Sequence, residues 1–573
     1  MTAKLKSEHK SKRHHYIALF ILFVIGATGV AAPYGGLLNR SEVCTLADHI
    51  RASNTGNAIG GCSAGNGDVT FQLNGNMVLT RLLPQITSKI TVEGNGFTID
   101  GGAEHQIFDV KGGALHIKHL NITRGKAHEG GDIKLTDSAE LVLQSSTISD
   151  NSATYGGAIS GEKSSIKIVE SAFINNRAAE HGGAIILKWS DLEMADSQIT
   201  GSRARSGGGL LARYSTVSLD GVTVRTNVIN RWQSGAGIRS EDSDVSISGS
   251  HIYGNHNSRH GGGIYVSGGS LSLAKSELRD NSATFGGGIS IRKSTVEIVN
   301  SRLSRNYAKR RGGGIQGNGG HIEIRHSNFN ENQAEYGGGI DIGSRLIIRG
   351  SKFIGNTAAY GGGINISAGS ATHFDTTFED NSALYFGGAV AITEGNAVFE
   401  GGGFRDNRSI GHGGAIYIEG GKLEARNATL TGNSTEFNGG GLYNHGGEAN
   451  LTHMTIAQNT SKNLGGGVYN AEGTFRVLSS IIADNSGEDC FTAEDLSVNR
   501  DNLIADGSCD PMISGDPLLG PLSGSPAYFA LRTGSPALDA ADPFFCPVAD
   551  QRGAARPQGK ACDIGAYELK IEP

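Results

Sequence analysis

The sequence predicts an all-β fold, a single-stranded parallel β-helix built from coils of about 26 residues. Three observations carry this. Gly supplies 87 of 573 residues, roughly twice the ordinary share of ~7%. A Gly-Gly-(Gly/Ala)-(Ile/Leu/Val) element recurs, its apolar anchor falling at Ile159, Ile185, Leu210, Ile238, Ile264, Ile289, Ile315, Ile340, Ile364, Val390, Ile416, Leu442 and Val468, with a weaker copy at Ile133. Between anchors the side chains alternate with period two, as in Ile264 to Val266 and at Leu271 and Leu273, which reads as short strands and not helix.

The anchors are 24 to 28 residues apart. Each repeat is expected to hold about three strands of three to five residues. Strands that short cannot bury a face alone, but stacked copies can. Gly supplies the tight turns. Fourteen repeats would span roughly 65 Å. Asn151, Asn176, Asn255, Asn281, Asn306, Asn332, Asn356, Asn381, Asn407, Asn433 and Asn459 lie eight or nine residues before their anchors. They are expected to stack as a structural amide ladder.

Residues 1–32 read as a secretory signal. Lys4, Lys6, Lys10, Lys12 and Arg13 precede the uncharged run Ile17 to Val30, with cleavage expected near Ala31 or Ala32. An uncleaved signal anchor is the alternative. No later segment is apolar enough to span a membrane. An exported chain follows from either reading. Six cysteines fall in three local pairs, Cys44 and Cys62, Cys490 and Cys509, Cys546 and Cys562. Local disulfides are expected, out of 15 connectivities. The net charge of −6 gives no footprint for nucleic acid.

Residues 33–67 form an expected N-terminal cap, with a short amphipathic helix over 42–56 plugging the first coil. The β-helix spans 68–483. Residues 484–573 are expected to form a loop-rich, disulfide-containing cap closing the other end.

These ends resemble known families. EVCTLADHIRASNT followed by GGC is similar to the CSLREA region of exported bacterial β-helix proteins, with Thr45, Ala47 and Asp48 in place of its Ser, Arg and Glu. GSPALDAAD, DQRG and ACDIGAYE resemble the C-terminal region called choice-of-anchor Q. The repeats resemble polymorphic outer membrane protein repeats of the pectin-lyase-like superfamily. The resemblance implies a right-handed β-helix and a surface or secreted location. It does not imply one activity, because this scaffold hosts enzymes and adhesins alike. Residues after Val468 do not supply the alternating strands of a translocator barrel, so release or non-covalent retention is expected.

Two columns of side chains are candidates for function. The position after each anchor is expected to face outward. Toward the C-terminus it reads Tyr417, Tyr443 and Tyr469, with His445 nearby, either a platform for sugar rings or a stabilising stack. Four residues before the anchors stand Tyr155, His181, His260, Phe285, Arg311, Tyr336, Tyr360, Phe386 and His412, either packing or a groove. Candidates for acid catalysis are Asp341 in the outward column, and Glu241, Asp242 and Asp244 in the irregular 28-residue repeat that also holds Arg231, Trp232 and Arg239. No metal motif is present and no cofactor is expected; Ca2+, which polysaccharide lyases commonly use, has no motif here. The leading expectation is a monomeric, non-catalytic adhesin or glycan-binding surface for a polysaccharide or cell-surface partner. The alternatives are an extracellular polysaccharide lyase or glycoside hydrolase, and a passive envelope component.

Overall fold

The computed structural model describes residues 43–65, 70–230, 233–256, 258–494 and 496–570. Residues 1–32, where a secretory signal is expected, lie outside the described residues, as do Arg231 and Trp232. From Cys44 onward the chain forms one unit, a parallel β-helix of about 16 turns.

Anchors pair in parallel register from coil to coil, for example Ile238 with Ile264 and Ile264 with Ile289. The anchor side chains are fully buried in the interior. Phe329, Phe353, Phe378 and Phe404 stack inside it at centroid spacings of 4.7, 5.0 and 4.9 Å. Each coil holds four hydrogen-bonded segments where the sequence predicts about three. In several coils the first two run together into one 11-residue strand, as in Ile238–Ser248, Ile264–Ala274, Ile289–Val299 and Ile315–Arg325.

The glycines act as expected at the turn before each anchor. Gly286 has φ +64°, and a Cβ on Gly287 would lie 2.5 Å from the Tyr307 carbonyl oxygen. Backbones approach too closely there for any side chain.

The asparagines form the expected ladder. Asn306 donates from Nδ2 to Asn332 Oδ1 and to the Leu278 carbonyl, both at 3.0 Å. Asn227 and Asn485 also belong to it. Asp489 terminates it, accepting from Asn485 Nδ2 at 2.9 Å. Ser202 breaks it between Asn176 and Asn227, with only its backbone N donating to Asn227 Oδ1. A second ladder of serines accompanies it: the Ser276 amide donates to Ser301 Oγ at 3.2 Å. Sequence reasoning passed over it because serine is common at turns.

Helix Leu46–Thr55 starts at the Thr45 N-cap and ends at Gly56, φ +67°. Leu46 and Ile50 enter the apolar core. Asn54 ties the helix to the first coils through the Gln85 carbonyl and the Thr87 amide. No helix among the described residues is long and apolar enough to cross a membrane. All three disulfides join the local pairs.

The C-terminal segment differs from expectation. Parallel pairing continues beyond residue 483, with Val468 on Cys490 and Ile481 on Leu503. The following chain then runs back along the flank of the β-helix and does not simply close its end. Gln551 donates to the Gly402 carbonyl at 2.8 Å and accepts from Thr429 Oγ1. Ala566 N donates to Thr455 Oγ1 and Gly565 N to the Ser479 carbonyl. The physical reason lies in the third strand of each coil. Its outer positions carry Arg225, Arg279, Arg302 and Lys352 in earlier coils. In the last coils they are Thr429, Thr431, Thr455, Ala457, Ile481 and Ala483, all buried. Asp550, Gln551, Arg556, Asp563 and Glu568, from the GSPALDAAD-to-ACDIGAYE region, are buried in this docking contact.

Candidate functional site

The register places Ser290, Gln316, Asp341, Asn365, Ala391, Tyr417, Tyr443 and Tyr469 in one row. Alternation turns this row away from the interior, as expected, but it is not an open surface. Asp341 is 2% exposed, Tyr417 6% and Tyr443 8%. The column four residues before the anchors roofs it. Phe386 stacks on Tyr417, and His412 lies on Tyr443, each with centroids 4.4 Å apart. The two columns form one layer.

Toward the C-terminus, Tyr417, Tyr443, Tyr469 and Phe491 stack at 5.6, 5.0 and 4.7 Å. The faces of Tyr443 are taken by its neighbours, leaving edges and hydroxyls. His445 pairs with Glu472 at 3.0 Å.

In the middle coils the aromatic roof gives way to arginine and the layer opens. A cavity of about 550 Å³ lies there, lined among others by Arg259, His260, Tyr265, Arg292, Arg311 and Asp341. Asp341 accepts from Asn365 Nδ2 at 2.7 Å and pairs with Arg311 at 3.5 Å. Burial outweighs these contacts and pushes its carboxyl up to about 6. His260 stacks on Phe285 at 4.9 Å. Burial, with Arg259, Arg292 and Arg239 nearby, lowers it to about 4, so it is neutral at neutral pH. Among the described residues, no acidic side chain pairs with Arg259 or Arg292.

The other carboxylates do not join Asp341. Glu241 is held by Arg213 and Arg239, and their charges outweigh its burial to lower its carboxyl. Asp242 is exposed at φ +46°. Asp244 accepts from Ser270 Oγ at 2.6 Å. Four coil steps separate the Ile238 and Ile340 coils, about 19 Å along the axis. No group of three or more His, Cys, Asp or Glu among the described residues is arranged to hold a metal ion.

Sequence reasoning missed the row three positions after the anchors. Lys188, Arg213, Glu241, Ser267, Arg292 and Asn318 are in register across six consecutive coils. Its signal was present: four of these six residues carry charge at a fixed offset from the anchor.

A family model described as a right handed beta helix region matches residues 190–346, which include the coils of Glu241 and Asp341. No curated protein matches the chain. Among solved structures, the crystal structure of the periplasmic alginate epimerase AlgG is similar at 12% identity, covering 64% of this chain and 84% of that one, with a TM-score of 0.35.

Proposed function

We propose that this is an exported β-helical protein that binds an acidic glycan along the outer layer of its middle coils, without catalysis. One observation carries the reading: Arg259, Arg292 and Arg311 line a single cavity in which, among the described residues, Asp341 is the one carboxylate. Guanidinium groups pair bidentately with carboxylate or sulfate groups of a sugar chain, and Arg259 and Arg292 are uncommitted. Export is supported by three disulfides, which persist in oxidising compartments. Hydrolysis is disfavoured because paired catalytic carboxyls lie about 5–9.5 Å apart, whereas Asp341 stands alone in its cavity. In this reading the half-buried Tyr469 and the exposed His445 extend the contact surface toward the C-terminus, while Tyr417 and Tyr443 belong to the packed layer beneath it.

A lyase is the second reading, favoured by the Asp341 carboxyl at about 6 beside Arg311. A group titrating near the working pH suits proton transfer. The test is retention of the purified protein on immobilised polygalacturonate, with the eluate assayed for unsaturated products. Salt-sensitive retention without product, lost in Arg292→Ala/Arg311→Ala, is the expected result. Product formation abolished by Asp341→Asn would establish the lyase instead. A protein that ignores polygalacturonate and other acidic glycans at low salt would reject both.

A further inference from the structure

Trp189 and Tyr214 occupy equivalent corners of adjacent coils, each one residue beyond the pair Lys188 and Arg213. Their rings are stacked at 5.6 Å with planes 9° apart. Both are unusually open, Trp189 being 52% and Tyr214 55% exposed. Both also have φ +50°, and no other Trp, Tyr or Phe among the described residues has positive φ. The left-handed region is costly for bulky side chains. Equivalent corners in neighbouring coils hold Lys163, Asp242, Gly268 and Lys293, residues that lose little there by being exposed. At this corner two large rings occupy a strained backbone and bury little in return. Strain that packing does not offset points to a binding role.

A cavity of about 510 Å³ adjoins the pair, lined by Lys188, Trp189, Arg213, Tyr214, Glu241, Asp242 and Ser267. Lys188, Arg213, Glu241 and Ser267 belong to the same in-register row that continues to Arg292 and Asn318 in the Asp341 cavity. The two cavities therefore lie on one track, some 15–19 Å apart at the spacing of three to four coils.

We propose that Trp189 and Tyr214 form a sugar-stacking subsite that receives a second part of the glycan held at Arg292 and Arg311. The inference rests on the glycan-binding reading. A pyranose presents an apolar C–H face that suits the electron-rich face of an aromatic ring, and the exposed Asp242 stands beside it as an acceptor for hydroxyls. A ligand spanning both cavities runs along the helix axis. Long chains are thus favoured over short ones by linkage of two contacts.

The chain has two tryptophans, so Trp189 can be followed alone in a Trp232→Phe protein. Polygalacturonate is the probe, with its oligomers graded by length and dextran as the neutral control. The expected result is a change in Trp189 emission on binding of long polygalacturonate, and a loss of about tenfold in affinity for the long chain in Tyr214→Ala. Tyr214→Phe restores it, and oligomers too short to span both cavities bind Tyr214→Ala as they bind the parent. Trp189→Asn is expected to bind more weakly with no fall in melting temperature. Binding of polygalacturonate that leaves both Trp189 emission and Tyr214→Ala affinity unchanged would overturn the subsite while leaving the Arg292 and Arg311 reading intact. A Trp189→Asn protein that melts well below the parent would assign the pair to packing and overturn the subsite as well. Trp189 emission that responds to dextran while no acidic glycan binds would overturn the linkage to the arginine cavity.

Discussion

Phe386 and Tyr417 lie face to face, their ring centroids 4.4 Å apart and their planes 12° apart. Phe386 stands four residues before Val390, and Tyr417 one residue after Ile416 in the following coil. The turn of one coil thus covers the strand of the next. His412 and Tyr443 repeat the relationship one coil later. This outer layer is a second, thinner core lying outside the strand wall.

Tyr443→Ala should therefore destabilise the protein and not only weaken a surface contact. The ring is 8% exposed and sits between Tyr417, Tyr469 and His412. Truncating a buried aromatic ring costs about 3 kcal/mol. Tyr443→Phe should stay within about 1 kcal/mol, because the stacking survives. Denaturant midpoints measure both. An unchanged midpoint for Tyr443→Ala would mean that the stack contributes nothing to stability.

Asp341 should make both stability and glycan binding depend on pH. Its folded carboxyl titrates at about 6, above the ordinary 3.8, because burial disfavours the anion. The neutral form is favoured by folding, so this contribution is fully present below pH 4 and is lost as pH rises through 6. The shift of about two units amounts to roughly 3 kcal/mol. Asp341→Asn should be more stable than the parent above pH 6, by up to about that amount, since the shift already includes the attraction of Arg311. Neutral Asp341 also leaves the charges of Arg259, Arg292 and Arg311 uncompensated. Affinity for polygalacturonate should rise as pH falls from 7 to 5, and Asp341→Asn should flatten that rise. A parent-like pH profile in the variant would remove Asp341 from the effect.

The period, the anchors and most of the asparagine ladder were legible because each repeats at a fixed offset, and interior packing tolerates few substitutes there. Contacts made between coils were not. Phe386 and Tyr417 are 31 residues apart in different columns, and nothing local in either column shows that one overhangs the other. The docking of the C-terminal segment left a fainter trace, the disappearance of charge from the outer positions at Thr429, Thr455 and Ile481. Asp341 was legible as a residue of the column, but its cavity depends on Arg259 and Arg292, which belong to two further columns.

Ser202 should accept asparagine with a gain in stability. It stands in line between Asn176 and Asn227, since Arg177 pairs with Arg203 and Arg203 with Val228. Its side chain is too short to bridge the two amides. Ser202→Asn would accept from Asn176 Nδ2 and donate to Asn227 Oδ1, adding about 1 kcal/mol. By contrast, Asn306→Ala breaks the continuous stretch and strands buried partners at Asn281 and Asn332, at a cost of about 2–3 kcal/mol. Thermal melts of the two variants should shift in opposite directions. Equal losses would show that Ser202 is shaped for a packing requirement that an amide cannot meet.

His373 should be a liability to stability in acid. It occupies an interior position between Ile348 and Phe399 in the same row. It is 1% exposed and stacks on Phe399 at 4.3 Å, and among the described residues neither ring nitrogen has a hydrogen-bond partner. Burial alone lowers it to about 3 from 6.5. The folded chain therefore holds the ring neutral while the unfolded chain protonates it. Stability from this group is intact above pH 6.5 and is lost progressively as pH falls toward 3. His373→Leu keeps an apolar side chain in the row and removes two unpartnered nitrogens, a gain of about 1–3 kcal/mol at pH 7. Below pH 6.5 the advantage should widen by about 1.4 kcal/mol per pH unit. Urea titrations of both proteins at pH 7 and pH 5 measure this widening, because the remaining acid-sensitive groups are common to the pair and cancel. A constant gap across that range would mean that the ring is protonated in the folded state, and that the interior admits a counter-charge or water at this coil.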